Sequence, residues 1–180
     1  MLGSLILLLC SCTGYKAGFG GLVDRYNNIS VPYIKDDLEG KLTEAVIKEI
    51  VSEGSLHYAM NGGDLVLEAE IVEIEDDNID FRYDRDSEGA VLKKVIPTEN
   101  RLTAKVKMSL MERTSGKCVW GPVFVSAHVG YDYDFNSLQS AEMTFSMGQL
   151  DVIENARDAA YKPLYKQLAE KIVHQINNTW

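Results

Sequence analysis

A strict alternation of apolar and polar residues between positions 102 and 110 places the strongest constraint on the fold of this chain. Its apolar members are Leu102, Ala104, Val106, Met108 and Leu110. Because successive side chains of a β-strand point to opposite faces, this period of two predicts a strand with one buried and one solvated face. Residues 114–116 predict a turn, and a second alternating run, from Cys118 to about Tyr133, predicts a returning strand that is disturbed at Gly121-Pro122. The fold must therefore contain a sheet that is covered on one side.

Two amphipathic helices are available to cover that sheet. The first is indicated by an apolar stripe of Leu38, Leu42, Ala45, Val46 and Ile50. Asp36 or Asp37 is predicted to cap it, with Asp36 and Glu39 resembling a capping box, and Gly54 is predicted to end it. The second helix is expected after Gly148, with a stripe of Ile153, Ala156, Ala160, Leu164, Leu168, Ile172 and Ile176. Pro163 lies inside this stripe, and we expect a kink or a break there.

Two further strands complete the predicted sheet. Residues 29–33 alternate and predict a short strand, with Pro32 at an edge or a strand end. Residues 65–71 predict a second strand, whose parity shifts at Val72, as at a β-bulge. Residues 75–89 are strongly polar and fit either a strand extension or an ordered loop. The predicted fold is α+β, a two-layer sandwich with two helices on one face of a mainly antiparallel four-stranded sheet.

The N-terminus carries a pattern typical of exported proteins. Leu5 to Leu9 are all large aliphatic residues, a run far shorter than the roughly 20 residues that a membrane-spanning helix needs. Such a run is typical of the apolar core of a secretory signal peptide. Leu9-Cys10-Ser11-Cys12 resembles the lipobox of bacterial lipoproteins, in which Cys12 would be the lipid-bearing first residue of the mature chain.

This pattern divides the chain into three parts. We expect a lipoprotein signal peptide over residues 1–11, a flexible lipid-anchored leader over residues 12–27 and a single domain over residues 28–180. The mature chain would be a domain held at a membrane by its lipid. The alternative is a cytosolic protein with an apolar N-terminus, which would expose an aggregation-prone run.

The charge balance excludes one broad class of function. The net charge of −9 argues against a nucleic-acid binder, because phosphate contacts need a basic face. With Cys10 removed and Cys12 acylated, Cys118 is a single cysteine without a predicted disulfide partner. We expect Cys118 to be a small buried residue, the alternative being a reactive thiol.

No motif for catalysis, a cofactor or a metal is found, and we expect a protein that is not an enzyme. His57, His128 and His174 are far apart in sequence and match no metal-ligand spacing. The opening of a calcium loop is matched by Asp84, Asp86 and Glu88 with Gly89, but Val95 stands where the closing glutamate is required, so a solvated acidic loop is favoured. A hydrolase with an unrecognised site is a further hypothesis, which involvement of one of the three histidines would support.

A small group of basic residues is the candidate binding site. Lys93 and Lys94 precede the strand that contains Arg101, and Arg82 and Arg85 lie in the preceding polar segment. Together they could hold phosphate groups through charge-assisted hydrogen bonds. The alternative is that they are ordinary solvated side chains.

Several short segments carry a resemblance to a known family. They are Gly14-Tyr15 after Cys12, Ile29-Ser30-Val31-Pro32, Leu42-Thr43-Glu44-Ala45, Asp64-Leu65-Val66-Leu67, Ala156-Arg157-Asp158-Ala159-Ala160 and Leu168-Ala169-Glu170-Lys171-Ile172. In these segments and in the order of its predicted elements, the chain resembles the LPS-assembly lipoprotein family, LptE.

The resemblance implies an outer-membrane lipoprotein that faces the periplasm. It would act as plug and assembly partner inside the β-barrel LPS translocon, LptD, and would also bind lipopolysaccharide. Family members place basic residues at one end of the sheet for lipid binding, and Lys93, Lys94 and Arg101 lie near one such place. The family's second basic position corresponds to residues 144–148, which contain no Lys or Arg. The alternative is another envelope lipoprotein, such as an activator of a cell-wall synthase or a secretion-pore subunit.

Overall fold

The elements follow the predicted order of strands and helices, with two short additions. The structure is a computed structural model that describes residues 21–85, 88–132 and 147–179, with side chains described at all these positions except 82, 84, 91–98 and 147–152. In chain order the elements are α1 (Leu22–Arg25), β1 (Asn28–Ser30), α2 (Lys41–Glu53), β2 (His57–Tyr58), β3 (Leu65–Arg85), β4 (Val91–Glu112), β5 (Lys117–Asp132) and α3 (Met147–Asn177).

The sheet has five strands among the described residues, in the order β2-β1-β3-β4-β5. The predicted α+β class is confirmed, but the predicted number of four strands is wrong. The strand that was missed is β2, whose two residues are too few to show a period of two. β1 pairs in parallel with both β2 and β3, so it is an inner strand, and Pro32 lies beyond its end.

The long antiparallel part of the sheet confirms the predicted hairpin. β3 pairs with β4 from Leu65 to Arg85, and β4 pairs with β5 up to the pair of Glu99 and Asp132. The polar segment 75–89 is therefore mainly a strand extension, since β3 runs to Arg85. β4 begins at Val91, well before the alternation that revealed it, so Lys93 and Lys94 lie inside this strand rather than before it.

The two long helices cover one face of the sheet and enclose one core. α3 packs on β4, β5 and α2. The completely buried side chains are Ile29, Leu42, Val46, Leu65, Leu102, Ala104, Val106, Leu110, Leu164, Leu168 and Ile172. The apolar members of the alternation in β4 all face this core, and its polar members face away from the helices. The opposite side, which we call the open sheet face, has no helix on it among the described elements.

The predicted bulge in β3 is confirmed, and it changes which residues face the helices. The register shifts between Ile71 and Glu73. Past the shift, Asp76 lies opposite the fully buried Leu102, on the helix-facing side of the sheet. A bulge inserts one extra residue and so reverses the parity of the strand. This is why Asp76, at an even position, faces the same side of the sheet as Leu65, Leu67 and Ile71, which stand at odd positions.

The start of α2 is held by a buried carboxylate. Asp37 is 2% exposed, and its Oδ2 accepts hydrogen bonds from the backbone N–H and the hydroxyl of Thr43, both at 2.8 Å. Asp37 therefore satisfies an otherwise free N–H of the first turn, as a capping residue does. The capping box of Asp36 and Glu39 is wrong, because Glu39 instead forms an ion pair with Lys41.

Replacing Asp37 with alanine should lower the free energy of unfolding by about 2–3 kcal/mol, because a buried backbone donor loses its acceptor. Urea unfolding followed by circular dichroism measures this change. Glu39→Ala is the matched control and should cost no more than about 1 kcal/mol, since its partner is solvent-exposed. Equal losses in the two variants would contradict the capping role.

The ends of the two long helices differ from the sequence prediction in two respects. Gly54 ends α2 in the left-handed conformation, as predicted, but Leu38 is 93% exposed because α2 begins only at Lys41. α3 continues through Pro163, so of the expected kink or break the break is wrong, and the kink stays a prediction. Burial of residues such as Ala160 and Leu164 on either side outweighs the roughly 3 kcal/mol that a proline costs inside a helix.

The packed part of the chain extends to the N-terminal side of Asn28. Leu22 and Val23 of α1 contact the core, and the hydroxyl of Tyr26 donates to Glu112 Oε1 at 2.8 Å. These residues fall within the leader expected over residues 12–27. Cys12 and the rest of the leader up to residue 20 lie outside the described residues.

Candidate functional site

The first part of the candidate site is the distal arm, defined here as residues 80–98. Among the described strands, β3 and β4 pair only with each other in this part of the hairpin, because β5 ends at Asp132 opposite Glu99. The arm exposes Phe81 and Tyr83, which are 50% and 63% exposed. It is therefore an extension with accessible aromatic side chains.

The charges of the distal arm are balanced. It contains four acidic residues, Asp80, Asp84, Asp86 and Glu88, and four basic residues, Arg82, Arg85, Lys93 and Lys94. The backbone register places Arg85 opposite Val91, two residues from Lys93, so these basic residues lie near the end of the arm. Arg85 Nη1 donates to the carbonyl of Gly89 at 3.0 Å, which ties this side chain to the turn.

Arg101 lies apart from the two lysines. It is an exposed residue on the open sheet face, opposite Asp77 of β3 and Gly130 of β5. It follows Lys94 by seven residues, about 23 Å along an extended strand. One phosphate group cannot contact both positions, so the three predicted residues are divided between the arm and the open sheet face.

Opposite charges line adjacent strands of the open sheet face. The cross-strand pairs are Glu70 with Lys107, Glu73 with Lys105, and Asp77 with Arg101. Lys105 Nζ lies 3.9 Å from Glu73 Oε2 and 5.2 Å from the ring centre of Phe124 on β5. Cross-strand pairs of opposite charge stabilise a sheet modestly and keep its exposed face hydrated. This face is strongly polar, with few apolar side chains.

A further ion pair fastens the segment after β1 to the same face. Lys35 pairs with Glu70, and its backbone N–H donates to the carbonyl of Ala69. The hydrogen bond between the two side chains raises the pKa of Lys35 and lowers the pKa of Glu70, so both are charged at neutral pH. Beside this pair lies an open depression of about 400 Å³, lined by Tyr33, Glu70, Lys107 and other residues of β3 and β4.

The described residues offer polar contacts rather than a recognisable reaction centre. No group of three or more His, Cys, Asp and Glu residues in the described ranges is placed to hold a metal ion. His57, His128 and His174 lie on β2, on β5 and near the end of α3. Within the same ranges no hydrogen bond joins a histidine to a serine, threonine or cysteine side chain. Asp86, which belongs to the sequence match to a calcium loop, lies outside the described residues.

The prediction for Cys118 is wrong. Its side chain is exposed, and its Sγ lies 3.3 Å from the carbonyl oxygen of Trp120. Cys118 lies opposite Met111, on the open side of β4, whereas Trp120 opposes the buried Leu110. The irregular register near Gly121-Pro122 separates this end of β5 from the regular alternation that begins at Val123. The sequence showed the disturbance but not its consequence for Cys118.

The family of this chain is shown by a match to a model of a protein family. A family model described as LptE, lipopolysaccharide-assembly, matches residues 26–176. This range includes every strand and both long helices up to the last turn of α3. The chain belongs to the LptE family. It is a lipopolysaccharide-assembly lipoprotein by this membership, in a family whose members assist assembly and are not enzymes.

Three solved structures whose descriptions name a lipoprotein share the fold of this chain. A minor lipoprotein from Acinetobacter baumannii has a TM-score of 0.51 and 16% identity, with 84% of this chain and 91% of that chain covered. A lipoprotein from Caulobacter crescentus has a TM-score of 0.51 and 15% identity, with 88% and 92% covered. The rare lipoprotein B from Shewanella oneidensis has a TM-score of 0.51 and 16% identity, with 83% and 93% covered. At these identities the likeness shows the fold.

No curated protein sequence matches this LptE-family chain. Among the described residues, none of the helices combines the length and the apolar character that crossing a membrane requires.

Proposed function

We propose that this LptE-family protein is an outer-membrane lipoprotein that acts as plug and assembly partner of the LptD β-barrel in lipopolysaccharide transport to the cell surface. The observation that carries the proposal is the family match over residues 26–176, which includes the strands β1 to β5, α2 and α3 up to its last turn. The fold of this domain is shared with three lipoproteins of different bacteria.

The open sheet face suits a polar enclosure. The interior of a membrane β-barrel is lined by polar residues, so a domain seated inside it should offer charges and hydrogen-bonding groups. Glu73, Asp77, Arg101, Lys105 and Lys107 provide both signs of charge on this face. Such a mixed surface can form specific contacts with a polar wall while a wrong partner would leave charges unpaired.

The membrane attachment is proposed to come from Cys12. In the lipoprotein interpretation this cysteine carries acyl chains, and the domain is held at the periplasmic side of the outer membrane. Each buried CH₂ group of a chain adds about 0.8 kcal/mol, and stable anchoring takes more than one chain. The segment from Cys12 to residue 20 would then connect the lipid to α1.

Direct binding of lipopolysaccharide is proposed to involve Lys93 and Lys94 of the distal arm, with Arg101 as a separate contact on the open sheet face. Ammonium groups bind phosphates through charge-assisted hydrogen bonds, which are stronger than neutral ones. The phosphorylated lipid A part of lipopolysaccharide is the matching ligand. Because the arm has as many acidic as basic residues, binding depends on these local cations and not on the charge of the arm as a whole.

Replacing both Lys93 and Lys94 with glutamate should weaken binding to vesicles that contain lipid A by at least about tenfold at low salt, where charge contacts are least screened. Binding is measured by flotation of the purified protein with the vesicles. The control is Lys48→Glu with Lys162→Glu, which makes the same change in net charge on exposed positions of α2 and α3. Equal weakening in both double variants, or none in the first, would remove the two lysines as a binding site.

Co-purification tests the barrel partnership. The lipidated protein should be extracted from membranes in a mild detergent and recovered through a C-terminal tag. We expect a large outer-membrane β-barrel to be recovered with it in a stoichiometric amount. Recovery of a peptidoglycan synthase, assembly of the protein alone into rings, or recovery of soluble periplasmic proteins only would contradict the proposal.

A further inference from the structure

A cluster of four polar side chains ties the N-terminal half of α3 to the sheet. Tyr131 donates from its hydroxyl to the Asp76 carboxylate, with distances of 2.9 and 2.8 Å to Oδ1 and Oδ2. Asn100 Nδ2 lies 3.3 Å from Asp76 Oδ1 and 3.2 Å from the Tyr131 hydroxyl. Arg157 Nε lies 3.3 Å from Asp76 Oδ2. The cluster thus joins β3, β4, β5 and α3 through one carboxylate.

The cluster is partly buried and incompletely satisfied. Tyr131 and Asn100 are 8% and 9% exposed, whereas the Arg157 side chain is 46% exposed. Burial and the hydrogen bond to Asp76 raise the pKa of Tyr131 to about 12, so its hydroxyl remains a donor at neutral pH. Asn100 Oδ1 is buried and has no hydrogen-bond partner among the described residues. Because this buried acceptor is unsatisfied, the cluster is less stable than it would be with all its polar atoms hydrogen-bonded.

The helix segment that Arg157 belongs to is weakly packed. No residue between 153 and 159 is buried, although Ile153 and Ala156 are half-buried. Burial begins at Ala160 and continues through Leu164 and Leu168 to Ile176. Few buried contacts are typical of segments that open locally while the rest of a domain stays folded.

Pro163 lies four residues beyond this segment, between the buried Ala160 and Leu164. Proline has no backbone N–H, so the helical hydrogen bond to the carbonyl of Ala159 cannot form. Proline also restricts the preceding helical turn, and bends in helices concentrate at such positions. The weakly packed segment 153–159 therefore carries the polar attachment at Arg157. The missing helical hydrogen bond at Pro163 follows it along α3.

From this arrangement we propose that Asp76, Asn100, Tyr131 and Arg157 form a latch that holds residues 153–159 against the sheet, and that these residues swing outward about Pro163 when the latch opens. Partly exposed ion pairs are weak, which allows the latch to open at ordinary temperature. The latch lies beside the pair of Glu99 and Asp132, where the distal arm leaves the three-stranded part of the sheet. The device is a property of the isolated domain and does not depend on the proposed barrel partner.

Hydrogen exchange of the full-length protein in detergent tests the latch. Arg157→Gln removes the solvent-exposed cation that pairs with Asp76. The hydrogen bonds of Asp76 to Tyr131 and Asn100 stay in place. Amides in residues 153–159 should then exchange about three to five times faster, while those in residues 164–176 remain unchanged. Lys166→Gln is the matched control, because it breaks the exposed ion pair of Lys166 with Glu170 on the well-packed part of the same helix.

Two outcomes of this experiment would overturn the latch. One is an unchanged exchange rate in residues 153–159 of the Arg157→Gln variant, and the other is an equal acceleration in residues 164–176, which indicates a general loss of stability. Asp76→Asn is the second variant, since it keeps the side-chain volume and loses the charge. It should accelerate exchange of residues 153–159 at least as much as Arg157→Gln does.

The hinge is tested separately by Pro163→Ala, which restores a backbone donor to the helix. In the Arg157→Gln background this change should bring the exchange rate of residues 153–159 back toward that of the unaltered protein. If the rate stays elevated, Pro163 is not the hinge and the swinging motion is wrong.

Discussion

Replacing Cys12 with alanine is expected to abolish the incorporation of labelled palmitate into this protein and to move it completely from the membrane fraction to the soluble envelope fraction. The reason is that, in the proposed topology, the acyl chains on Cys12 are the membrane attachment. Loss of chains that each supply many buried CH₂ groups, at about 0.8 kcal/mol per group, changes membrane affinity by many orders of magnitude.

The other two cysteines provide matched controls for this experiment. Cys10 precedes Cys12 by two residues, and Cys118 is exposed on β5. Cys10→Ala and Cys118→Ala should both keep the label and the membrane location. If the Cys12→Ala protein still carries palmitate, or if Cys118→Ala loses it, the lipidation site is wrong. An unprocessed Met1 in the mature protein, found by mass spectrometry, would contradict the signal peptide as well.

Replacing Leu168 with alanine should lower the free energy of unfolding by about 3–5 kcal/mol. Leu168 is 0% exposed on α3, in the core formed by the two long helices and the sheet. Truncation removes apolar contact and leaves a cavity in a densely packed interior. Because the total stability of a domain is about 5–15 kcal/mol, this single change removes a large part of it. Urea unfolding of the two proteins measures the difference.

Leu38→Ala is the same chemical change at an exposed position. Leu38 is 93% exposed before the start of α2, so its truncation should alter the free energy of unfolding by less than about 0.5 kcal/mol. A loss above 2 kcal/mol for Leu38→Ala, or below 1 kcal/mol for Leu168→Ala, would contradict the assignment of the core.

Regular periodicity explains why most of the fold was predictable. The alternation from Leu102 to Leu110 and the helical stripe from Ala160 to Ile176 extend over enough residues to fix both the element and its buried face. The helical spacing of apolar residues wrongly included Leu38 in α2, because such spacing does not show at which residue a helix begins. The start of α2 is held by Asp37, whose carboxylate accepts hydrogen bonds from Thr43, six residues later in the chain.

The errors arose where tertiary packing outweighs local preference. Pro163 does not break α3, because buried residues on both sides hold the helix on the sheet. β2 has two residues and exists only through its parallel pairing with β1, which leaves no signal in the sequence. The latch around Asp76 was also missed, since its members are 24, 55 and 81 residues distant from Asp76 in the chain. The parity shift at Val72 was the one signal that could have pointed to it.

The binding role of Lys93, Lys94 and Arg101 stays a prediction, and the sequence did not show how far apart they lie. The sequence showed Lys93, Lys94 and Arg101 as one basic group, whereas the extended strand separates the lysines from Arg101. It also gave no indication that the charges of β3 and β4 would lie opposite each other on one open face, because that arrangement depends on the register of two long strands.

In-cell crosslinking gives the most direct test of the central claim, that this LptE-family lipoprotein has an outer-membrane β-barrel as its partner. A photoreactive amino acid is placed at Lys107 on the open sheet face, cells are irradiated intact, and the adducts are identified by mass spectrometry. We predict one dominant adduct with a large outer-membrane β-barrel, which disappears when Cys12→Ala detaches the domain from the membrane. Adducts with a cell-wall synthase or with soluble periplasmic proteins, and none with a barrel, would contradict the account.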